Sequence, residues 1–266
     1  MGRLPRLQRW GAAAWAIART PARTGVWLTG AAAVAIAVRL AGIAHAADLG
    51  AAAPRNAVLW RVPTRSHDIA FTFDDGPSPV YTPQVLRLLR LNGATATFFV
   101  VGSEAARHAA LVRAEAAQGS QVCGHGWTHM LFQRQSAAAV RTSVERTAAL
   151  LARLGVPACD LFRFPYFASD RVARRVVGAL GYRMIGANVD TLDWRQPPVP
   201  RMVGAVLGRL RAGDIVLFHD GGGDRSRSVR ALGAILAALP GRGLHAVTVG
   251  RLLATAEPGQ PLSSWQ

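Results

Sequence analysis

Asp74 and Asp75 stand side by side at the end of an apolar run, in Phe71-Thr72-Phe73-Asp74-Asp75-Gly76-Pro77. Neighbouring carboxylates repel and Asp is a poor strand former, so folding gains little from the pair. Asp-Gly-Pro is ordinary turn chemistry, but that accounts for one Asp and not for two. The pair makes sense if a cation lies against it, or if one carboxylate binds a metal and the other takes a proton. Further along, His125-Gly126-Trp127-Thr128-His129 supplies two imidazoles at a ligand-like spacing. Asp75, His125 and His129 make a three-ligand set with a position left for water, the layout of a catalytic metal rather than a structural one. Zn2+ is the divalent metal expected, with Co2+ as the alternative.

Other motifs add polar groups after apolar runs. Arg163-Phe164-Pro165-Tyr166 is one of them. A buried Arg needs a carboxylate partner, and Asp74 is the candidate. Asp190-Thr191-Leu192-Asp193-Trp194 and Leu217-Phe218-His219-Asp220 each close a β-like segment. A His beside an Asp keeps its proton toward neutral pH and can serve as a general acid. His67, His108 and His245 read as structural or surface residues.

These residues need elements to hold them. From Asp68 the pattern alternates strand and helix, with strand-like segments near 68–74, 95–101, 121–124, 160–164, 183–189, 214–219 and 245–249. Helix signals lie between them. Thr82-Pro83 reads as an N-cap with Pro at the first helical position, and Asn92-Gly93 as the stop. Ser136 and Asp170 are further N-cap candidates, and Gly155 and Gly181 mark helix ends. Alternation of this kind argues for a parallel α/β domain, either an open sheet or a barrel. Asp74, Asp75, His125, Arg163, Asp193 and His219 fall at or just past the C-terminal ends of different strands. A barrel converges such ends on one pocket, whereas an open sheet spreads them along an edge. The expected fold is α/β, a distorted or incomplete (β/α) barrel of about seven parallel strands.

These motifs, in this order, resemble the polysaccharide deacetylases of carbohydrate esterase family 4, the NodB homology domain. The resemblance implies a distorted (β/α) barrel that removes acetyl groups from an amino-sugar polysaccharide. It implies Asp74 as the base and Asp75, His125 and His129 as metal ligands. It implies that Arg163 orients the base and that the Tyr166 main-chain N–H helps hold the oxyanion. Asp193 would partner His219, the general acid, while Trp194 forms a groove wall and Leu217 lines the acetyl pocket. Gly126 departs from the family, which commonly has Ser or Thr there to brace the metal loop. Met130 replaces a common Pro, and Phe164 and Phe167 alter the third motif. The substrate expected is N-acetylglucosamine polymer, peptidoglycan or chitin-like. An O-acetyl ester, a non-carbohydrate amide and a glycan-binding role without catalysis are the other readings.

The chain has 266 residues, half of them hydrophobic, and a formal charge of +16. All its basic residues are Arg, scattered singly along the expected helices rather than in a block. No nucleic-acid signature accompanies them, so an anionic cell envelope suits the charge better. Residues 1–46 read as a signal peptide or membrane anchor. Arg3, Arg6, Arg9, Arg19 and Arg23 precede an apolar stretch from Val26 to Val38, and Ala44-His45-Ala46 offers a small-x-small cleavage pattern. Residues 47–66 read as a linker, 67–254 as the catalytic domain and 255–266 as a polar tail. An exported location follows, secreted or held at the outer face of the cytoplasmic membrane. Cys123 and Cys159 are either a disulfide or two buried thiols.

Overall fold

The computed structural model describes residues 57–257 and 263–265. The expected targeting segment, residues 1–46, lies outside the described residues. Among the described residues no helix is long and apolar enough to cross a membrane.

The centre of the fold is β2 (Asp68–Asp74), buried along its whole length. It pairs in parallel with β3 (Thr97–Val100) on one side and β8 (Ile215–His219) on the other. From β3 the sheet continues through β4 (Gln121–Gly124), β5 (Leu161–Phe162) and β6 (Arg183–Ile185) to β1 (Val58–Arg61), all in parallel. Beyond β8 lies β7 (Val189–Asp190). The free side of β1 takes β10 (Ser263–Trp265), the one antiparallel strand among the described residues. The sheet curls until Arg61 meets Asp214 in an antiparallel bridge at the foot of β8. The Val62 N–H donates to Gly213 O at 2.9 Å, and Arg61 Nε lies 2.9 Å from Asp214 Oδ1. This is a distorted (β/α) barrel.

Helices cover the outside of the curl. They are α1 (Thr82–Leu91), α2 (Gly102–Arg107), α3 (Ala109–Ala117), α4 (Ala137–Arg153), α5 (Arg171–Ala179), α6 (Val199–Leu207), α7 (Ser226–Ala238) and α8 (Val249–Ala254). Strand side chains alternate between faces. Ile69, Phe71 and Phe73 of β2 point outward and pack with Phe98, Val216, Phe218 and apolar residues of α1, α6 and α7. Ala70, Phe99, Cys123, Leu161, Ile185, Ile215 and Leu217 point inward and fill the barrel. Asp74, His125, Arg163 and His219 each continue an inward-facing series by two residues. That parity aims all four into the mouth of the barrel.

Several local expectations differ from the structure. Residues 58–61, read as part of a linker, form β1, and residues 263–265 of the polar tail form β10. Their partners are distant in sequence, so local pattern carries little trace of them. The segment at 245–249 gives only the short β9 (His245–Val247), which pairs with the foot of β2 off the main path. Ser136 and Asp170 cap α4 and α5 through their side chains. Thr82 does not cap α1; it is the first helical residue, and Tyr81 occupies the cap. Its hydroxyl accepts from the Ser78 N–H and donates to buried Asp220 instead.

Cys123 and Cys159 form a disulfide across 36 residues of sequence, tying β4 to the segment before β5. Closing a loop of that size restricts the unfolded chain by about 3–4 kcal/mol in the loop-entropy treatment. Unfolding in urea with and without reductant measures it. Reduction is expected to lower stability by about that amount; an unchanged midpoint would mean that the bond contributes nothing.

Candidate active site

The strand ends deliver the polar groups, and tight turns then aim them. Asp74 is the last residue of β2 and is buried. Asp75 turns away at once with φ 70, a left-handed conformation that costs a side-chain-bearing residue of order 1–3 kcal/mol. Two glycines make room for it. A Cβ at Gly221 would collide with the Asp75 carbonyl, and one at Gly222 would press on its carboxylate. Tyr166 (φ 58) and Leu192 (φ 54) are left-handed in two other loops at the mouth. Strain of this kind persists only where the surroundings over-determine it.

Arg163 is fully buried and uses its guanidinium in four directions. Nη1 donates to Asp74 Oδ1 at 2.8 Å and Thr72 Oγ1 at 2.7 Å. Nη2 donates to Gly186 O at 2.6 Å and Nε to Ile185 O at 3.2 Å. The rings of Phe99 and Phe167 flank it. Asp74 is thereby gripped through one oxygen, while its Oδ2 faces His125 Nε2 at 3.9 Å.

Asp75, His125 and His129 offer ligand atoms that all lie within 4.8 Å of one another. The pair of histidines sits in a loop rather than on a helix. His125 Nδ1 is 2.8 Å from the Arg163 carbonyl oxygen. A carbonyl only accepts, so Nδ1 carries the proton and the lone pair of the neutral ring lies on Nε2. Burial holds His125 below the ordinary imidazole value, against the opposing pull of Asp74 and Asp75. Its Nε2 is 3.5 Å from Asp75 Oδ1, and His129 Nε2 is 3.0 Å from the same oxygen. Yet that oxygen is buried with no donor aligned on it. For His125 and Asp75 this sets lone pair against lone pair, an arrangement that a cation relieves. Burial works to raise the Asp75 carboxyl, but His129, His125 and His219 outweigh it and hold it well below the usual carboxylate range. One carboxylate and two imidazoles fit a borderline divalent ion such as Zn2+.

His219 lies beside Asp74 because β2 and β8 pair Asp74 with His219 in register. Its Nδ1 is 2.7 Å from Asp193 Oδ1. The other Asp193 oxygen accepts from the His219 N–H at 2.9 Å and from Ser228 Oγ at 2.7 Å. Burial lowers the His219 pKa, but the Asp193 bond and charge outweigh it, so the net direction is up. Leu217 is buried two residues below His219, inside the barrel. Tyr166 and Trp194 stand on the rim, 62% and 49% exposed. The Tyr166 ring centroid is 4.3 Å from that of His129.

All ten expected site residues therefore gather at one end of the barrel: Asp74, Asp75, His125, His129, Arg163, Tyr166, Asp193, Trp194, Leu217 and His219. Other contributors carry weaker signals in sequence. Thr72 shares the inward face of β2 with Asp74, and period-two reading places it there. Ser143 of α4 accepts the Trp127 N–H at 2.8 Å and braces the histidine loop. Gly126 in that loop has φ 83, and a Cβ there would press on Phe132, so glycine suits the position and Ser143 supplies the brace. Ser228 is likewise visible only in three dimensions, and so are the burial and partners of Asp220, which follows His219 in sequence. Asp220 is buried under Gly76, and burial pushes its carboxyl up to about 7.

The sequence profile of the polysaccharide deacetylase family matches residues 61–185. A peptidoglycan-N-acetylglucosamine deacetylase of Bacillus cereus is 38% identical over 203 residues, covering 75% of this chain and 94% of the relative. The chain belongs to the polysaccharide deacetylases of carbohydrate esterase family 4. A chitooligosaccharide deacetylase of Bradyrhizobium is 37% identical, covering 68% of this family member and 88% of the relative. In three dimensions it resembles the crystal structure of a peptidoglycan N-acetylglucosamine deacetylase, with TM-score 0.71 and 27% identity over 75% of this chain and 94% of that one.

The Asp193–His219 pair gives a signed expectation. With Asp193 present, His219 keeps its proton to higher pH than a free imidazole. Asp193→Asn removes the charge that opposes burial, so the His219 pKa should fall below the ordinary value. NMR titration of the His219 ring reads this directly. An unchanged titration in the variant would remove Asp193 as the cause.

Proposed function

We propose that this chain hydrolyses the N-acetyl group of N-acetylglucosamine units in an envelope glycan, releasing acetate and leaving a free amine on the sugar. The observation that carries the reading is the buried Asp75 oxygen 3.0 and 3.5 Å from two imidazole nitrogens, next to a separately held carboxylate and a separately held imidazole. Asp75, His125 and His129 are the residues that would hold a divalent metal. A metal held there would supply Lewis acidity, the chemistry that makes water nucleophilic near neutral pH. Asp74 takes the proton of the attacking water on the oxygen that Arg163 leaves open. Arg163 fixes Asp74 in direction through its bond to Oδ1. The left-handed turn at Tyr166 presents that residue's main chain at the mouth, where its N–H serves the oxyanion. His219 donates a proton to the leaving nitrogen, and Asp193 holds the ring for that transfer. Leu217 forms the apolar floor against which an acetyl methyl packs. Trp194 offers a flat face to a sugar ring.

Both peptidoglycan and chitooligosaccharide relatives support an amino-sugar polymer as substrate. Export is part of the same reading. The basic, acid-free start followed by an apolar stretch suits a signal peptide or anchor, and a structural disulfide suits an oxidising compartment.

Acetate release by the full-length protein from N-acetylglucosamine oligomers and from peptidoglycan tests the reading. Release should stop with chelator and return with Zn2+ or Co2+. Asp74→Asn should retain metal and lose turnover by about 10²-fold or more. A near wild-type rate in that variant would refute Asp74 as the base. His125→Ala should lose metal as well; stoichiometric metal in that variant would remove His125 from the ligand set. As pH rises through the raised His219 pKa, turnover should fall, because the imidazolium is the acid that the leaving amine needs.

A further inference from the structure

Beside the histidine loop, on its outer side, a groove of about 310 Å3 runs between that loop and α4. Its walls include Trp127, Thr128, Met130, Gln135, Thr142 and Arg146. The groove is large enough for one sugar residue or a bulky substituent. Thr128 and Met130 flank His129, so an occupant sits next to the loop that presents a candidate metal ligand. Met130 is 62% exposed and Thr128 is also exposed.

The cation of this groove is unusual in how it is held. The Arg146 guanidinium carbon lies 3.6 Å from the centroid of the Trp127 ring, a stacked cation–π contact. Trp127 is itself fixed, since its N–H donates to Ser143 Oγ and its carbonyl accepts from the Ser103 N–H at 2.8 Å. Stacking orients the guanidinium plane and leaves its edge donors free. Among the described residues no carboxylate pairs with Arg146; the neighbouring Glu145 pairs with Arg141 instead. An oriented, unpaired guanidinium with hydroxyl and amide neighbours matches a planar carboxylate, which it can engage with two parallel N–H donors.

We propose that this groove is a subsite for a carboxylate-bearing substituent on the sugar adjoining the one deacetylated, with Arg146 as its anchor. The inference rests on the deacetylase reading above and deepens it. It selects an acidic glycan, such as one carrying lactyl ether carboxylates, over a neutral chain.

The test uses the full-length protein and one disaccharide, N-acetylglucosaminyl-N-acetylmuramic acid, as the free acid and as its methyl ester. Wild-type protein should show a higher kcat/KM for the acid. In Arg146→Gln the ratio of acid to ester should fall about tenfold, the cost of one charge-assisted contact. A ratio that is the same in wild type and variant overturns the proposal. A melting temperature unchanged in the variant keeps a folding defect from imitating the result. If neither compound releases acetate, the deacetylase reading fails on its own. Calorimetric titration of the same two compounds then decides the subsite. Tighter binding of the acid, lost in Arg146→Gln, sustains it; equal affinities sink it.

Discussion

Burying an arginine without solvent is expensive, and the effective penalty is several kcal/mol unless every donor is met. Arg163 answers most of that demand with four hydrogen bonds to two strands. Its side chain binds Thr72 and Asp74 of β2 and the carbonyls of Ile185 and Gly186 at the end of β6. Its own carbonyl, meanwhile, receives the Nδ1 proton of His125 after β4. One residue therefore sets the direction of the Asp74 carboxylate and the tautomer of a candidate metal ligand. Side chain and main chain act on the two halves of the site separately, so the geometry of each half is referred to a single fixed point. Lysine, a point charge with no fork, could not replace it.

Around that fixed point the fold works by parity and register. The inward series of β5 and β8 are apolar below and polar at the last step, and those of β2 and β4 carry Ala70 and Cys123 below Asp74 and His125. The polar step comes where the barrel opens, so water and substrate can reach groups whose supports remain dry. The left-handed turns at Asp75, Tyr166 and Leu192 do the final aiming. They are tolerated because Gly221 and Gly222 vacate the space that Asp75 takes, and because Asp193 is locked by Ser228 and the His219 main chain. Stability is given up locally for direction, and the surrounding core holds the result in place.

Much of this was legible in the chain because it is written in local pattern. Asp74-Asp75, the two histidines, Arg163, Asp193 and His219 follow apolar runs whose period is that of strands, and Ser136 and Asp170 stand where helices must start. The parts that local pattern misses depend on distant partners. β1 is four residues followed closely by Pro63, and it is a strand because β6 and β10 flank it. Thr82 looks like a cap, but a buried carboxylate competes for its hydroxyl. Ser143 lies inside α4, where serine is usually a neutral surface choice, and nothing nearby in sequence announces the histidine loop that it braces. The Cys123–Cys159 bond needs the spatial approach of two strands, which spacing alone does not fix.

That bond also shapes how the native state opens. It links β4 just before His125 to the segment entering β5 just before Arg163, and the residues between them include the histidine loop and all of α4. Were α4 to lift from the barrel in a sub-global fluctuation, the cross-link would still hold β4 to the segment entering β5. The amides of α4 would then exchange with solvent apart from those of the strands that carry His125 and Arg163. Opening of α4 would therefore leave undisturbed the strands that carry His125 and Arg163.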